Sequence, residues 1–188
     1  MILGILSFQG DYNLHKKSLD RLGVKNIFVN SKQDLMKTDG LIIPGGESSV
    51  LSKFLKLTQL DCAISKYSEK KNVFGTCAGS IVMSKECDDL NISLLKIMDI
   101  KAYRNKWGRQ VHSFESNIDI TLDDKINYCA KFIRAPKIKL LSNNVKILGM
   151  YRNEPVLVRN KKHLVSSFHP EMNDDTILHD YFIKMINE

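Results

Sequence analysis

Long apolar runs are missing from this sequence: no stretch approaches the roughly 20 apolar residues that a membrane-spanning helix requires. A basic leader ahead of an apolar segment is missing too, since the start, Met1-Ile2-Leu3-Gly4-Ile5-Leu6-Ser7-Phe8, does not read as a secretory signal. Cysteine is sparse and unpaired in pattern. Cys62, Cys77, Cys87 and Cys129 form no C-x-x-C spacing, which excludes the usual zinc and disulfide frameworks and leads us to expect free thiols, no metal and a cytoplasmic location. In that compartment the sequon Asn91-Ile92-Ser93 stays unused. No internal repeat or low-complexity linker is found, so residues 1–188 are expected to form a single domain. The formal charge of +7 lacks a basic stripe interleaved with aromatics; Lys16-Lys17, Lys70-Lys71 and Lys161-Lys162 are small scattered groups, so a solvated surface is expected and no nucleic-acid partner.

What is present is an ordinary globular composition, 43% hydrophobic and 26% charged, with a strong rhythm in its first half. Residues 2–8 read as a buried strand, 26–29 as a second short strand and 40–44 as a third. Between them Leu14, Ser18, Leu19 and Leu22 mark one face of a helix ended by Gly23, and Val50, Leu51, Phe54 and Leu55 mark another. Strand, helix, strand, helix with continuous apolar strands predicts a parallel sheet covered on both faces. Ligands bind beyond the carboxyl ends of such strands, which directs attention to Gln9, Gly45-Gly46 and Cys77. The second half changes rhythm. Extended stretches at 116–122, 131–134, 145–151, 155–158 and 163–167 are predicted, the last three as an antiparallel meander, followed by a helix with Ile177, Leu178, Phe182, Ile183 and Ile186 on its buried side.

Two short stretches carry chemistry. Val73-Phe74-Gly75-Thr76-Cys77-Ala78-Gly79 is a strand, sharp turn and helix start of the form G-x-C-x-G, a nucleophile elbow with sulfur at its tip. Helix N-termini favour the thiolate, which is the attacking species. Alone, this segment also fits a buried structural cysteine. Phe168-His169-Pro170-Glu171 supplies a base and a carboxylate two residues apart on one extended segment, although alone it fits a surface turn. Together they specify a triad: Cys77 as nucleophile, His169 as general base and acid, and Glu171 holding the imidazole tautomer.

With Gly45-Gly46-Glu47-Ser48 these segments resemble the three signatures of class I, triad-type glutamine amidotransferases. Gln9-Gly10-Asp11 with His15, Pro44 through Ser49, Arg104-Asn105-Lys106-Trp107-Gly108-Arg109-Gln110 and Phe132-Ile133-Arg134-Ala135-Pro136 resemble one family within them, the glutaminase subunits of pyridoxal 5'-phosphate synthases. Leu14, Ser49 and Lys106-Trp107 depart from that family's usual pattern, and none is a triad position. The resemblance implies an α/β, flavodoxin-like three-layer sandwich with a mostly parallel central sheet. It implies hydrolysis of L-glutamine to L-glutamate and ammonia through a cysteine thioester, without cofactor, in vitamin B6 biosynthesis. The substrate would sit on Gly46, Glu47, Ser48, Arg104, Ile133 and Arg134. The oxyanion would be held by the backbone N–H groups of Gly46 and Ala78. The implied partner is a (β/α)8-barrel synthase, assembled as twelve synthases with twelve glutaminases, that takes up the ammonia.

Charge complementarity suggests Arg104 and Arg134 for the α-carboxylate of glutamine and Glu47 for its α-ammonium, with Ile133 acting through its backbone. Gln9 is expected to brace the Gly45-Gly46 loop. His15 is expected on the helix surface or at an interface, because the triad already has its base. Two other readings are a triad amidotransferase of another pathway, such as histidine synthesis, and a non-catalytic flavodoxin-like binding module.

Overall fold

A computed structural model describes residues 1–104 and 113–188. The expectations for Asn105 through Gln110 therefore lie outside the described residues. The chain runs through β1 (Ile2–Leu6), α1 (Tyr12–Arg21), β2 (Lys25–Val29), α2 (Lys32–Leu35), β3 (Gly40–Ile43), α3 (Ser48–Leu57), α4 (Leu60–Ser68), β4 (Asn72–Thr76) and α5 (Ala78–Met83). It continues through β5 (Ser84–Cys87), β6 (Met98–Tyr103), β7 (Ser113–Thr121), β8 (Lys125–Ile133), β9 (Lys137–Leu140), β10 (Lys146–Tyr151), β11 (Glu154–Arg159) and β12 (His163–Ser166), then a 3-10 turn at Pro170–Met172 and α6 (Ile177–Asn187). None of the described helices is long and apolar enough to cross a membrane.

Among the described residues, nine strands form one sheet in the order β2-β1-β3-β4-β12-β11-β10-β7-β8, and β5-β6-β9 form a smaller one. From β2 to β12 every neighbour is parallel, and from β12 to β8 every neighbour is antiparallel. Strand β12 is the seam between the two regimes. Period-two alternation sends side chains to opposite faces. Leu3, Ile5, Ile42, Phe74 and Leu164 pack with Leu19 of α1 and with Leu178 and Phe182 of α6. Leu41, Ile43, Val73 and Val165 pack with Leu51 and Leu55 of α3, Leu60 and Ile64 of α4 and most of α5. Burial on both faces is why these strands read as continuous apolar runs.

The meander expected over the last three strands is present as β10-β11-β12. Elsewhere the second half is more ordered than its sequence suggests. The stretch at 131–134 is the end of a nine-residue strand, β8, paired along its whole length with β7. The stretch expected at 116–122 is present as β7, whereas alternating exposed and buried positions hide most of β8 from a search for apolar runs. Of the expected face of α3, Leu51 and Leu55 are buried, whereas Val50 and Phe54 are each 40% exposed.

Candidate active site

The registers bring the carboxyl ends of β1, β3, β4 and β12 together. Ser166 pairs with Thr76 across the parallel seam, so the residues that follow each strand emerge side by side. Cys77 continues β4, and its N–H donates to the Ser166 carbonyl at 2.9 Å. Its carbonyl is held from the other side by the Ser80 hydroxyl at 2.6 Å and the Ser80 N–H at 3.1 Å. Pinned at both ends, Cys77 sits at φ 47° and ψ −106°, outside the ordinary regions for a side-chain-bearing residue. Such backbone strain costs about 1–3 kcal/mol and persists only where surrounding structure enforces it. The thiol is 6% exposed, and Sγ lies 3.7 Å from the Ile133 carbonyl at the end of β8.

His169 follows β12 by three residues, and its Nδ1 lies 2.8 Å from Glu171 Oε1. Pro170 starts the 3-10 turn that brings Glu171 back under the imidazole. Burial works to lower the His169 pKa. The Cys77 sulfur on one side and the Glu171 carboxylate on the other outweigh it and raise the value to about 11. Burial likewise opposes ionisation of Glu171, but the imidazoles of His15 and His169 hold its carboxyl below the ordinary range. Space at the pair is tight. A Cβ on Gly45 would come within 2.6 Å of His169 Cε1 and 3.3 Å of Cys77 Cβ, so no larger residue fits there.

Gly46, Glu47, Ser48, Arg104, Ile133 and Arg134 line the same cleft, of about 180 Å³, as Cys77 and His169. Ala78 begins α5 directly after Cys77, and Glu171 lies behind His169. Gln9 lies beside the loop rather than in the cleft: its Nε2 donates to the Glu47 carbonyl at 2.7 Å and its Oε1 accepts the Glu47 N–H at 3.1 Å. Both ends of one side-chain amide thus fix the Gly46-Glu47 backbone.

Three features escape a reading of the sequence. Asp11 and Ile81 also line the cleft. Asp11 was visible inside the Gln9-Gly10-Asp11 turn, but nothing in the spacing distinguishes a turn aspartate from one facing a site. Second, the Arg104 guanidinium is already paired, with Glu47 Oε1 at 2.7 Å and with Asp89. Glu47 therefore faces a cation of the chain itself, while Arg134 makes no ion pair among the described residues and leaves β8 with φ 43°. Third, His15 is not a surface histidine. It is fully buried on the core side of α1, against Glu171 and His179. Its signal was in the sequence, because 15, 18, 19 and 22 make a better helical stripe than one beginning at Leu14, which is only half-buried.

The fold is that of the glutamine amidotransferases. A crystal structure of a glutamine amidotransferase matches with a TM-score of 0.94 and 36% identity, covering all of both chains. The PurLQS structure from Thermotoga maritima matches at a TM-score of 0.70 and 11% identity over 97% of each chain, a likeness of fold alone. Residues 5–188 match the model of the SNO glutamine amidotransferase family, and the chain belongs to that family. It is similar to proteins named pyridoxal 5'-phosphate synthase subunit PdxT: 42% identical to that of Thermosipho africanus over 100% of both chains, and 43% identical to that of Francisella tularensis over 97% of this chain and 98% of the relative.

Proposed function

We propose that this chain is the glutaminase subunit of a pyridoxal 5'-phosphate synthase, a single-domain cytoplasmic protein that hydrolyses L-glutamine through a thioester on Cys77. Family membership and the full-length similarity to PdxT proteins support the activity and the pathway. The observation that carries the residue roles is the β4-β12 register, which sets a strained cysteine beside a buried His-Glu pair in one cleft.

The Cys77 thiolate attacks the side-chain amide carbon, forming a C–S bond and an oxyanion. The Ala78 and Gly46 N–H groups are the donors for that oxygen. His169, protonated on Nε2, gives its proton to the departing nitrogen as the C–N bond breaks and ammonia leaves. Water then attacks the thioester; His169 takes its proton, the C–S bond breaks, and glutamate and the thiolate are restored. Glu171 keeps the His169 Nδ1–H oriented throughout. Arg134 is the cation for the α-carboxylate, and Glu47, set in place by Arg104, faces the α-ammonium. None of these steps calls on a metal or an organic cofactor. Ammonia released into water at neutral pH becomes a non-nucleophilic cation, so a partner must take it directly. That partner is the synthase subunit, a (β/α)8 barrel in a twelve-plus-twelve assembly.

Acid-quenching the protein with its synthase and glutamine, followed by peptide mass spectrometry, should show a glutamyl adduct on the Cys77 peptide. An adduct on Cys62, Cys87 or Cys129 instead, or turnover with no adduct in a deacylation-impaired variant, contradicts the assignment.

A further inference from the structure

Behind the Cys77 site, and resting on the reading of Glu171 as partner of His169, a polar line crosses the otherwise apolar layer between the sheet and helices α1 and α6. Glu171 Oε1 takes the His169 contact. Its other oxygen, Oε2, lies 3.5 Å from His15 Nε2. His15 Nδ1 in turn lies 2.9 Å from His179 Nε2 on α6. Both histidines are fully buried, edge-on to the Phe74 ring. Two imidazoles in such a layer are destabilising unless their polar atoms find partners.

The neighbours decide where the protons sit. An ionised carboxylate only accepts, so His15 must present its N–H to Glu171 from Nε2. Its Nδ1 is then the acceptor for the His179 Nε2–H, and His179 Nδ1 is left without a partner among the described residues. Glu171 Oε2 has no hydrogen bond of normal length, and Thr76 Oγ1, 3.3 Å from His15 Nε2, competes for the same proton. Such contacts tighten when substrate completes the site.

We propose that His15 is a positioning residue of this active site: its Nε2–H holds the second oxygen of Glu171, with His179 fixing the His15 tautomer, so that the carboxylate stays ionised and aimed at His169. Burial lowers the pKa of both His15 and His179 and keeps them neutral, so the line orders the carboxylate without cancelling its charge. The other titratable groups facing it are Asp11 from the turn before α1, within 4.8 Å of the His169 and Glu171 ligand atoms, and Tyr128 from β8.

His15→Phe fills the ring volume without a donor, and His15→Gln keeps an N–H at the place of Nε2. Assayed with the synthase present, His15→Phe should lose about ten- to a hundredfold in kcat, the size of one charge-assisted hydrogen bond, with the glutamine KM within about twofold. Its acid limb should move to higher pH, because the unsupported carboxylate takes up a proton more readily, and His15→Gln should restore most of the rate. A folded His15→Phe with wild-type kcat and pH profile overturns the proposal, as does equal impairment of both variants, which would mean packing alone. Glu171→Gln measured alongside separates the two levels: if it is fully active the triad reading itself fails, whereas an inactive Glu171→Gln beside an active His15→Phe sinks only the present claim. Should His15→Phe not fold, imidazole 15N resonances of the wild-type protein decide. His15 and His179 neutral and protonated on Nε2 at pH 7 is the expected result, and a His15 proton on Nδ1 or a cationic His15 overturns it.

Discussion

At the scale of the residue, the chemistry is local where the sequence is legible and long-range where it is not. Cys77 with its flanking glycines, and His169 with Glu171, lie within a few positions of one another and announce their geometry through steric need. His15 and His179 meet across 164 positions, and no spacing rule reports such a contact. The Arg104 pairing with Asp89 is hidden for a related reason, because two oppositely charged residues fifteen positions apart become neighbours only when β5 and β6 lie side by side. This pairing bears on substrate recognition. With Arg104 occupied, Arg134 is the cation open to the α-carboxylate, so Arg134→Ala should raise the glutamine KM by about tenfold or more, the equivalent of a charge-assisted bond at roughly 1.5–3 kcal/mol, and leave kcat within a few fold. Steady-state kinetics with the synthase present check this. An unchanged KM would return the carboxylate contact to Arg104.

Fully buried strands were the most legible elements. Strands β1, β3 and β4 are apolar on both faces and stand out; β7 and β8 alternate, and β9 has a single fully buried residue within four positions. The junction of β4 with β12 matters most, because it aligns Cys77 and His169, the proposed nucleophile and base, and it contains a titratable weak point. His163 begins β12, and its Nδ1 accepts the Val73 N–H of β4 at 3.3 Å. Burial, followed by the nearby Lys162 charge, lowers its pKa from 6.5 to about 4. The folded form therefore resists a proton that the unfolded chain accepts below pH 6.5, so stability is full above that value and falls as the pH drops toward 4. One such group contributes a slope of up to about 1.4 kcal/mol per pH unit. His179, lowered to about 3 by burial, acts in the same direction. His169, raised, contributes stability that is full below pH 6.5 and is lost as the unfolded chain gives up its proton above that value, so it opposes the trend only in the upper part of this range. Urea unfolding should show lower stability at pH 5 than at pH 7, with a shallower dependence in His163→Asn, whose amide oxygen can take the Val73 bond at the place of Nδ1 without titrating. A wild-type midpoint that does not fall between those pH values contradicts the linkage.

On the scale of the whole molecule, the change of rhythm in the second half marks a real change of construction, since the chain passes from parallel strands with covering helices to antiparallel strands that extend the same sheet, beside a small sheet of mixed pairing. The join between the halves is the seam that holds the proposed active site. Sequence patterns identify each half, but they do not show that β12 returns to lie beside β4, because that parallel pairing closes over ninety positions. The arrangement leaves the Gly45-Gly46 loop at the mouth of the cleft, with Gly46 at φ +126° and the Gly45 carbonyl packed against Gly10. We propose that a docking synthase acts on the Gly46 N–H through this loop, since one oxyanion donor is worth about 10² to 10³ in rate. Under the proposed function, Cys77 releases ammonia from glutamine under the control of that partner. The most direct test is glutamate release at saturating glutamine, for wild type and Cys77→Ala, each with and without the synthase subunit. The account predicts slow release by the isolated wild type, a rise of about a hundredfold or more on adding the synthase, and none from Cys77→Ala in either state. Release by Cys77→Ala at a rate comparable to wild type, or a full rate from the isolated subunit, would contradict it.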